Sequence, residues 1–202
     1  ALTPHNADAA YEKGSALMHI RRFEDANISF NYALEQDPTL VNAWLKKGVT
    51  LSHLGLEEKS IEAFERAIAI NPQLTEASVK KGIALVNLSR FSDAVAIFNQ
   101  ALEDDAGNVL AWYYSGLAFA ALEQTENAIK SFDRVLEINR QCAPAWYERG
   151  RALARMGKHL ESVLSYDKAL ELAPDDPQTL YHKGLALAQR ERYDDAIKAF
   201  ER

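Results

Sequence analysis

The sequence predicts an all-α protein built as an array of helical hairpins, and three observations support that prediction. Six glycines recur at intervals of 34 residues without a slip, at Gly14, Gly48, Gly82, Gly116, Gly150 and Gly184. A fixed period of this length is typical of repeat architectures. Between the glycines, apolar residues recur at spacings of three and four, the pattern of amphipathic helices. No segment shows the strict alternation of a β-strand.

The period divides the chain into a short tail and one array. When Ala7 is counted as repeat position 1, residues 1–6 form an N-terminal tail. The units are then 7–40, 41–74, 75–108, 109–142, 143–176 and a partial unit, 177–202. An aromatic residue stands at position 24 in all six units, and tryptophan stands at position 4 in three of them. We therefore expect a single repeat domain over residues 7–202.

Each unit contains signals for two helices, A and B, in that order. Helix A is predicted over about the first fourteen positions, and Gly55 and Gly157 follow it at position 15, where a left-handed cap suits glycine. Helix B then runs to about position 30. A proline follows it in three units, at Pro38, Pro72 and Pro174. Proline lacks the amide donor that a continuing helix needs, and an Asp176-Pro177 pair starts the next helix A.

The periodic glycines at position 8 predict close packing of helices A and B. A glycine inside a helix is about 1 kcal/mol less favourable than alanine, so its repeated use implies a compensating contact. The small residues at position 20 are expected to meet the glycine, with rings at positions 4 and 24 filling wider gaps. The alanines at position 20 are Ala26, Ala94, Ala128 and Ala196.

These residues resemble the tetratricopeptide repeat family over residues 7–202. In the second unit the match comprises Ala43-Trp44, Lys47-Gly48, Leu51, Ala63-Phe64, Ala67 and Pro72. The resemblance implies an α-α superhelix, a right-handed superhelical solenoid of antiparallel helix pairs. It also implies that the A helices line a concave groove that holds a peptide or helix of a partner protein.

The overall composition argues against two classes of partner. The 202 residues include 23 lysines and arginines against 29 aspartates and glutamates, for a formal net charge of −6 at pH 7. A nucleic-acid binder is expected to carry a basic surface, so we predict no nucleic-acid partner. No run approaches the roughly eighteen apolar residues of a membrane-spanning helix, so we predict no membrane partner. The single cysteine, Cys142, fits a reducing compartment, and the predicted location is cytoplasmic.

The sequence contains no pattern typical of an active site. The periodic glycines lie inside helices rather than in a phosphate-binding loop. His19 and His53 share position 13 of adjacent units, but no set of metal ligands repeats beside them. The pair Glu57-Glu58 opens a B helix, where negative charge is favourable. We therefore predict a non-enzymatic protein with no catalytic residues, metal or cofactor.

The A helices are predicted to present positions 2, 5, 9 and 12 to the partner as a largely apolar and aromatic ladder, with Lys46 and Lys80 of position 6 supplying charge. The predicted groove residues are Tyr11, Leu45, Lys46, Val49, Val79, Lys80, Ile83, Val86, Tyr113, Leu117, Tyr147, Arg151 and Tyr181. Exposed apolar patches of this kind usually mark a contact, although some of these residues could instead pad neighbouring A helices. The partner is expected to be apolar in its middle, with an acidic or polar end steered by the basic groove residues.

A second basic stripe recurs at position 7. Its members are Lys13, Lys47, Lys81, Arg149 and Lys183. Their stems are expected to lie on the hydrophobic layer, with their charges in water. An anionic partner is the alternative interpretation of this stripe.

The predicted function is a protein–protein interaction scaffold that binds a peptide or helix of a partner. Two alternatives remain open: a self-assembling structural module, and the docking domain of a larger enzyme. Leu187, Ile197 and Phe200 would lack cover in the last unit, because each repeat buries the apolar face of its neighbour. We therefore expect either a continuation beyond Arg202 or another molecule, such as a second copy, at this end.

Overall fold

The computed structural model describes residues 4–202, and within that range it contains twelve α-helices and no strand. The A helices are α1 (Pro4–His19), α3 (Val41–His53), α5 (Thr75–Asn87), α7 (Val109–Ala121), α9 (Ala143–Arg155) and α11 (Pro177–Ala188). The B helices are α2 (Phe23–Gln36), α4 (Glu57–Ile70), α6 (Phe91–Asp104), α8 (Thr125–Ile138), α10 (His159–Leu172) and α12 (Tyr193–Phe200). The predicted all-α fold class is confirmed. Residues 1–3 of the predicted tail lie outside the described range.

The helices form two compact units that divide between Ala106 and Gly107. The first unit contains the three hairpins of α1–α6, and the second contains the three hairpins of α7–α12. Within each unit, every B helix of the first two hairpins packs against the A helix that follows it. The core of each unit therefore forms between consecutive hairpins.

The turn from helix A to helix B has the same backbone conformation in all six hairpins. Gly55 and Gly157 at position 15 have φ values of 72° and 73°, which confirms the predicted left-handed caps. Four other residues adopt the same conformation, with φ between 58° and 60°, namely Arg21, Ser89, Glu123 and Glu191. In each turn the amide of position 16 donates to the carbonyl of position 11, at N···O distances of 2.8–3.1 Å. The cap is thus a property of the turn, and glycine is a preference rather than a requirement.

The turn from helix B to the next helix A is closed by side-chain caps and by tryptophan. Asp176 Oδ2 accepts a hydrogen bond from the Thr179 amide at 2.8 Å, as the sequence predicts for a helix start. The indole Nε1 of Trp44 donates to the Pro38 carbonyl at 2.9 Å. Trp146 donates in the same way to the Arg140 carbonyl, also at 2.9 Å. These tryptophans are partly buried, and their hydrogen bonds stabilise the preceding turn.

The glycines at position 8 are required by the aromatic ring at position 24. A Cβ added to Gly48 would lie 2.5 Å from Phe64 Cε1, and the ring of the same hairpin blocks every other glycine of the series in the same way. Phe64 is 1% exposed. The ring at position 24 was expected to fill a wider gap, whereas it packs directly against the glycine. Position 20 also meets the glycine, as in the 2.8 Å bond from Ser60 Oγ to the Gly48 carbonyl.

Candidate partner-binding face

In the first unit, most of the predicted groove residues remain accessible on α1, α3 and α5. The partly exposed residues are Tyr11, Lys46, Val49, Lys80, Ile83 and Val86. They combine aliphatic side chains with two lysines. This part of the predicted site is available to a partner.

Leu45 and Val79 are predicted groove residues that the structure buries instead. They keep only 5% and 3% of their surface exposed, so neither offers a partner more than a trace of contact area. Leu45 packs in a buried cluster with Phe64, Ala67 and Ala77. An aliphatic side chain at position 5 is short enough to sink between neighbouring helices, and for these two residues the padding role is the correct interpretation.

In the second unit, position 5 is tyrosine in all three A helices, and the longer side chain reaches further out. Tyr113 and Tyr147 are partly exposed, and Tyr181 is 54% exposed. Each ring is anchored by the position-24 ring of its own hairpin, with centroids 6.0–6.1 Å apart. We call these three residues the tyrosine ladder. Burial raises the pKa of Tyr113 to about 12, which shows how far its hydroxyl is withdrawn from water.

Arg151, which is predicted as a steering charge, is already paired. Its Nη1 lies 3.1 and 3.0 Å from the two carboxylate oxygens of Glu148, and its guanidinium lies 5.6 Å from the centre of the Tyr147 ring. The Glu148 side chain is only 14% exposed, and its burial raises its pKa despite the neighbouring arginine. The sequence signal for Glu148 was its position three residues before Arg151. The pair presents a polar contact rather than a free positive charge.

Two clefts lie along α9, and the larger one is lined by tyrosines of the ladder. One has a volume of about 410 Å³ and is lined by Tyr113, Pro144, Tyr147 and Gln178 among others. The second, of about 180 Å³, lies between α7 and α9 beside Leu117 and Arg151. Here Arg155 Nη1 donates to the Ala120 carbonyl at 3.1 Å, which ties the two helices together. The face therefore combines exposed rings with recesses that can accept side chains.

The basic stripe at position 7 is mostly paired with acids of the preceding repeat. The observed pairs are Lys81–Glu65 at 2.8 Å, Arg149–Asp133 at 2.6 Å and Lys183–Asp167 at 2.6 Å. These cations are therefore held by carboxylates rather than by water alone, which corrects the expectation for them. The sequence signal was an acid sixteen residues before each base, and Asn31 takes that place before Lys47.

The described residues contain no group of three or more histidine, cysteine, aspartate or glutamate side chains that could hold a metal. His53 stacks on Phe23, with ring centroids 4.5 Å apart. Cys142 is a free, partly buried thiol at the start of α9. Over the described range, no helix is both long and apolar enough to cross a membrane.

Two family models, both described as tetratricopeptide repeat, match the sequence. The first matches residues 1–41, 79–145 and 147–202, and the second matches residues 41–74. The chain belongs to the tetratricopeptide repeat family. This membership supports the role of a protein–protein interaction scaffold for the array, and members of the family are generally non-enzymatic. The array matches no curated protein.

Solved structures with the same fold include three proteins of low sequence identity. PilW, a widely conserved type IV pilus biogenesis factor, has a TM-score of 0.84 at 22% identity, covering 96% of this chain and 90% of PilW. MamA from Desulfovibrio magneticus RS-1 has a TM-score of 0.80 at 18% identity, covering 87% and 99%. YrrB, described as a TPR protein with an unusual peptide-binding site, has a TM-score of 0.72 at 22% identity, covering 85% and 89%. At these identities the similarity shows the fold.

Proposed function

We propose that the array is an interaction scaffold that binds a peptide or helical segment of a partner protein on the A-helix face of its second unit. The observation that supports the proposal is the tyrosine ladder of Tyr113, Tyr147 and Tyr181, whose rings pack on the position-24 rings and remain at least partly exposed. Tyrosine provides a large contact area and a hydroxyl, and ordering it costs little entropy because it has few rotatable bonds. Such residues often dominate the binding energy of an interface.

The clefts beside the ladder define the expected chemistry of the segment. Leu117 and the tyrosine rings favour an apolar side chain in the middle of the segment. Because Glu148 neutralises Arg151, the polar part of the segment is expected to hydrogen-bond to this pair and to the tyrosine hydroxyls. On the first unit, Val49 and Ile83 together with Lys46 form a smaller face of the same kind, suited to an apolar segment with an acidic end.

The test compares two leucine-to-glutamate variants on different faces. Partners are captured from cell extract with the unmodified array, identified, and then titrated against Leu117→Glu on α7 and Leu164→Glu on α10. Leu164 is 56% exposed on a B helix, so it controls for the introduced charge. We expect Leu117→Glu to weaken binding by about 2 kcal/mol or more, as for a central anchor, and Leu164→Glu to have little effect. Circular dichroism verifies that both variants fold. Equal binding by both variants would place the site elsewhere.

Self-association is the second candidate, supported by the last hairpin. Tyr193 is 61% exposed, Ile197 is 53% exposed and Phe200 is 48% exposed. Sedimentation over a range of concentrations, with Ile197→Glu as the disrupting variant, tests this candidate. A monomer at every concentration contradicts it.

The docking domain of a larger enzyme and the cytoplasmic location remain predictions, and the unpaired Cys142 supports a reducing compartment.

A further inference from the structure

A cleft of about 380 Å³ lies between the B helices α2 and α4 of the first unit, and α3 forms its floor. Its polar and aromatic lining residues are Asn27, Asn31, Trp44, Lys47, Lys59, Glu62 and Arg66, and three apolar side chains complete it. We call it the α2/α4 cleft. None of its lining residues belongs to the predicted partner-binding face. Its chemistry is therefore independent of the tyrosine ladder.

The second unit contains a cleft that serves as a built-in comparison. It lies between α8 and α10, has a volume of about 610 Å³ and includes Asp133, Trp146 and Arg149. Trp146 and Trp44 make the same hydrogen bond to a carbonyl of the preceding turn. In both clefts the cation at position 7 lies near the indole ring, 5.9 Å from its centre for Arg149 and 4.8 Å for Lys47. The two clefts thus share one tryptophan–cation arrangement.

The clefts differ in the residue that faces the cation of position 7. Arg149 bonds to the Asp133 carboxylate at 2.6 Å, and the corresponding residue opposite Lys47 is the uncharged Asn31. Among the described residues, no carboxylate lies within ion-pair distance of Lys47. Burial lowers the pKa of Lys47, and the nearby Glu62 carboxylate only partly opposes that effect. Lys47 is therefore a partly desolvated cation that no carboxylate of the described residues pairs with directly.

The balance of acidic and basic side chains also differs between the two clefts. The α8/α10 cleft has three acids and three bases, Asp133, Glu137 and Glu171 against Arg140, Arg149 and Lys168. The α2/α4 cleft has one acid against three bases, Glu62 against Lys47, Lys59 and Arg66. The α2/α4 cleft is thus a local positive site in a chain whose net charge is −6.

A second observation narrows the class of ligand. The Oδ1 atom of Asn27, in the wall of the α2/α4 cleft, is buried without a hydrogen-bond donor. A buried acceptor left unpaired is unfavourable, so turning the Asn27 side chain into the cleft, where a ligand N–H group can donate to Oδ1, removes that cost. A peptide offers such groups along its backbone. A small carboxylate has no donor at neutral pH, and inorganic phosphate has an O–H group but no N–H group.

We propose that the α2/α4 cleft binds an acidic peptide segment, with a carboxylate of the segment paired to Lys47 beside Trp44. The carboxylate approaches from the open side of the cleft, because Asn31 stands at the position of Asp133, and it supplies the negative charge that Asp133 supplies to Arg149 in the α8/α10 cleft. A backbone amide of the segment donates to Asn27 Oδ1 once that side chain turns toward the cleft, and Lys59 and Arg66 attract further acidic residues. The site recognises charge at a desolvated cation, where an ion pair is stronger than on an open surface.

The probe is a capped tetraglutamate peptide, followed through the indole N–H signals of the ¹⁵N-labelled protein. The chain has three tryptophans, so Trp44 reports on the site, and Trp112 and Trp146 act as internal controls. We expect the Trp44 signal to shift saturably with the peptide while the other two stay in place. Capped tetraglutamine at equal concentration should give no shift, and phosphate at equal ionic strength should shift Trp44 at least tenfold less. Equal shifts of all three indoles, or an equal response to tetraglutamine, would overturn the proposal.

The decisive variant is Asn31→Asp, which gives Lys47 the internal carboxylate that Arg149 already has. It should weaken tetraglutamate binding at least tenfold and raise the pKa of Lys47, while leaving the fold intact. Lys81→Met is the matched control, because Lys81 is already paired with Glu65 and its loss should leave the titration unchanged. Undiminished binding by Asn31→Asp would refute the site. Leu117→Glu should leave this titration unaltered, so failure of the ladder proposal and failure of this one are separable.

Discussion

Replacing Gly48 with alanine tests the main packing contact of the hairpin. The new Cβ would lie 2.5 Å from Phe64 Cε1, 2.7 Å from Cδ1 and 2.9 Å from Cζ. Contacts this short require the ring or the helix to move. Phe64 is 1% exposed and is enclosed by its core cluster, so the ring has no free space to enter. The substitution must therefore strain the pair of helices.

Two opposing contributions determine how much Gly48→Ala changes the free energy of unfolding. Overpacking a well-packed core destabilises by about 1 to 3 kcal/mol. Alanine in place of a mid-helix glycine stabilises by about 1 kcal/mol through helix propensity. The steric contribution is expected to win, so that Gly48→Ala lowers the free energy of unfolding by about 1 kcal/mol. The measurement is urea unfolding followed by far-UV circular dichroism.

A double-mutant cycle separates the clash from other causes. In a Phe64→Leu background the ring is absent, and Gly48→Ala should become neutral or stabilising because only the propensity contribution remains. Gly55→Ala is the control, since no atom lies within 4 Å of its added Cβ and its effect comes from a φ of 72°. It should destabilise by about 1 kcal/mol in both backgrounds. If Gly48→Ala destabilises equally with and without the Phe64 ring, the packing argument is wrong.

Two further predictions concern the second unit. The pKa of His182 is lowered mainly by burial and to a smaller extent by the charge of Arg151. The folded state therefore favours the neutral imidazole, and its stability should fall as the pH drops below about 6.5, the pKa of an unfolded histidine. His182→Asn should reduce the difference between urea midpoints at pH 7.5 and pH 5.5, and an unchanged difference would show that other groups cause it. Asp176→Ala removes the cap on the Thr179 amide and should lower the free energy of unfolding by about 1 kcal/mol. Asp176→Asn should retain most of that stability, and equal losses in the two variants would argue against the cap.

Most of the fold could be predicted from the sequence because helices, turns and caps depend on nearby residues. The left-handed turn at Gly55 and the cap at Asp176 each involve contacts within about one helical turn. Packing between helices was less predictable. The ring at position 24 was expected to fill a wider gap, whereas the ring of Phe64 packs directly against Gly48, sixteen residues away.

The candidate site shows the same division between local and tertiary information. Position 5 was correctly placed on helix A, yet Leu45 is buried and Tyr181 is exposed at the same repeat position. The difference depends on side-chain length and on the neighbouring helices. Arg151 was expected to be a free charge, and only the structure shows its bond to both oxygens of Glu148.

The sequence by itself determined the period, the helix order and the turns, because a 34-residue repeat records the same local interactions six times. The tertiary structure decided which side chains remain available to a partner. Lys81 and Lys47 share one repeat position, but Lys81 meets Glu65 and Lys47 has Asn31 at the corresponding place. Exposure and charge pairing depend on residues that come together only when consecutive hairpins pack, and those neighbours differ from one repeat to the next.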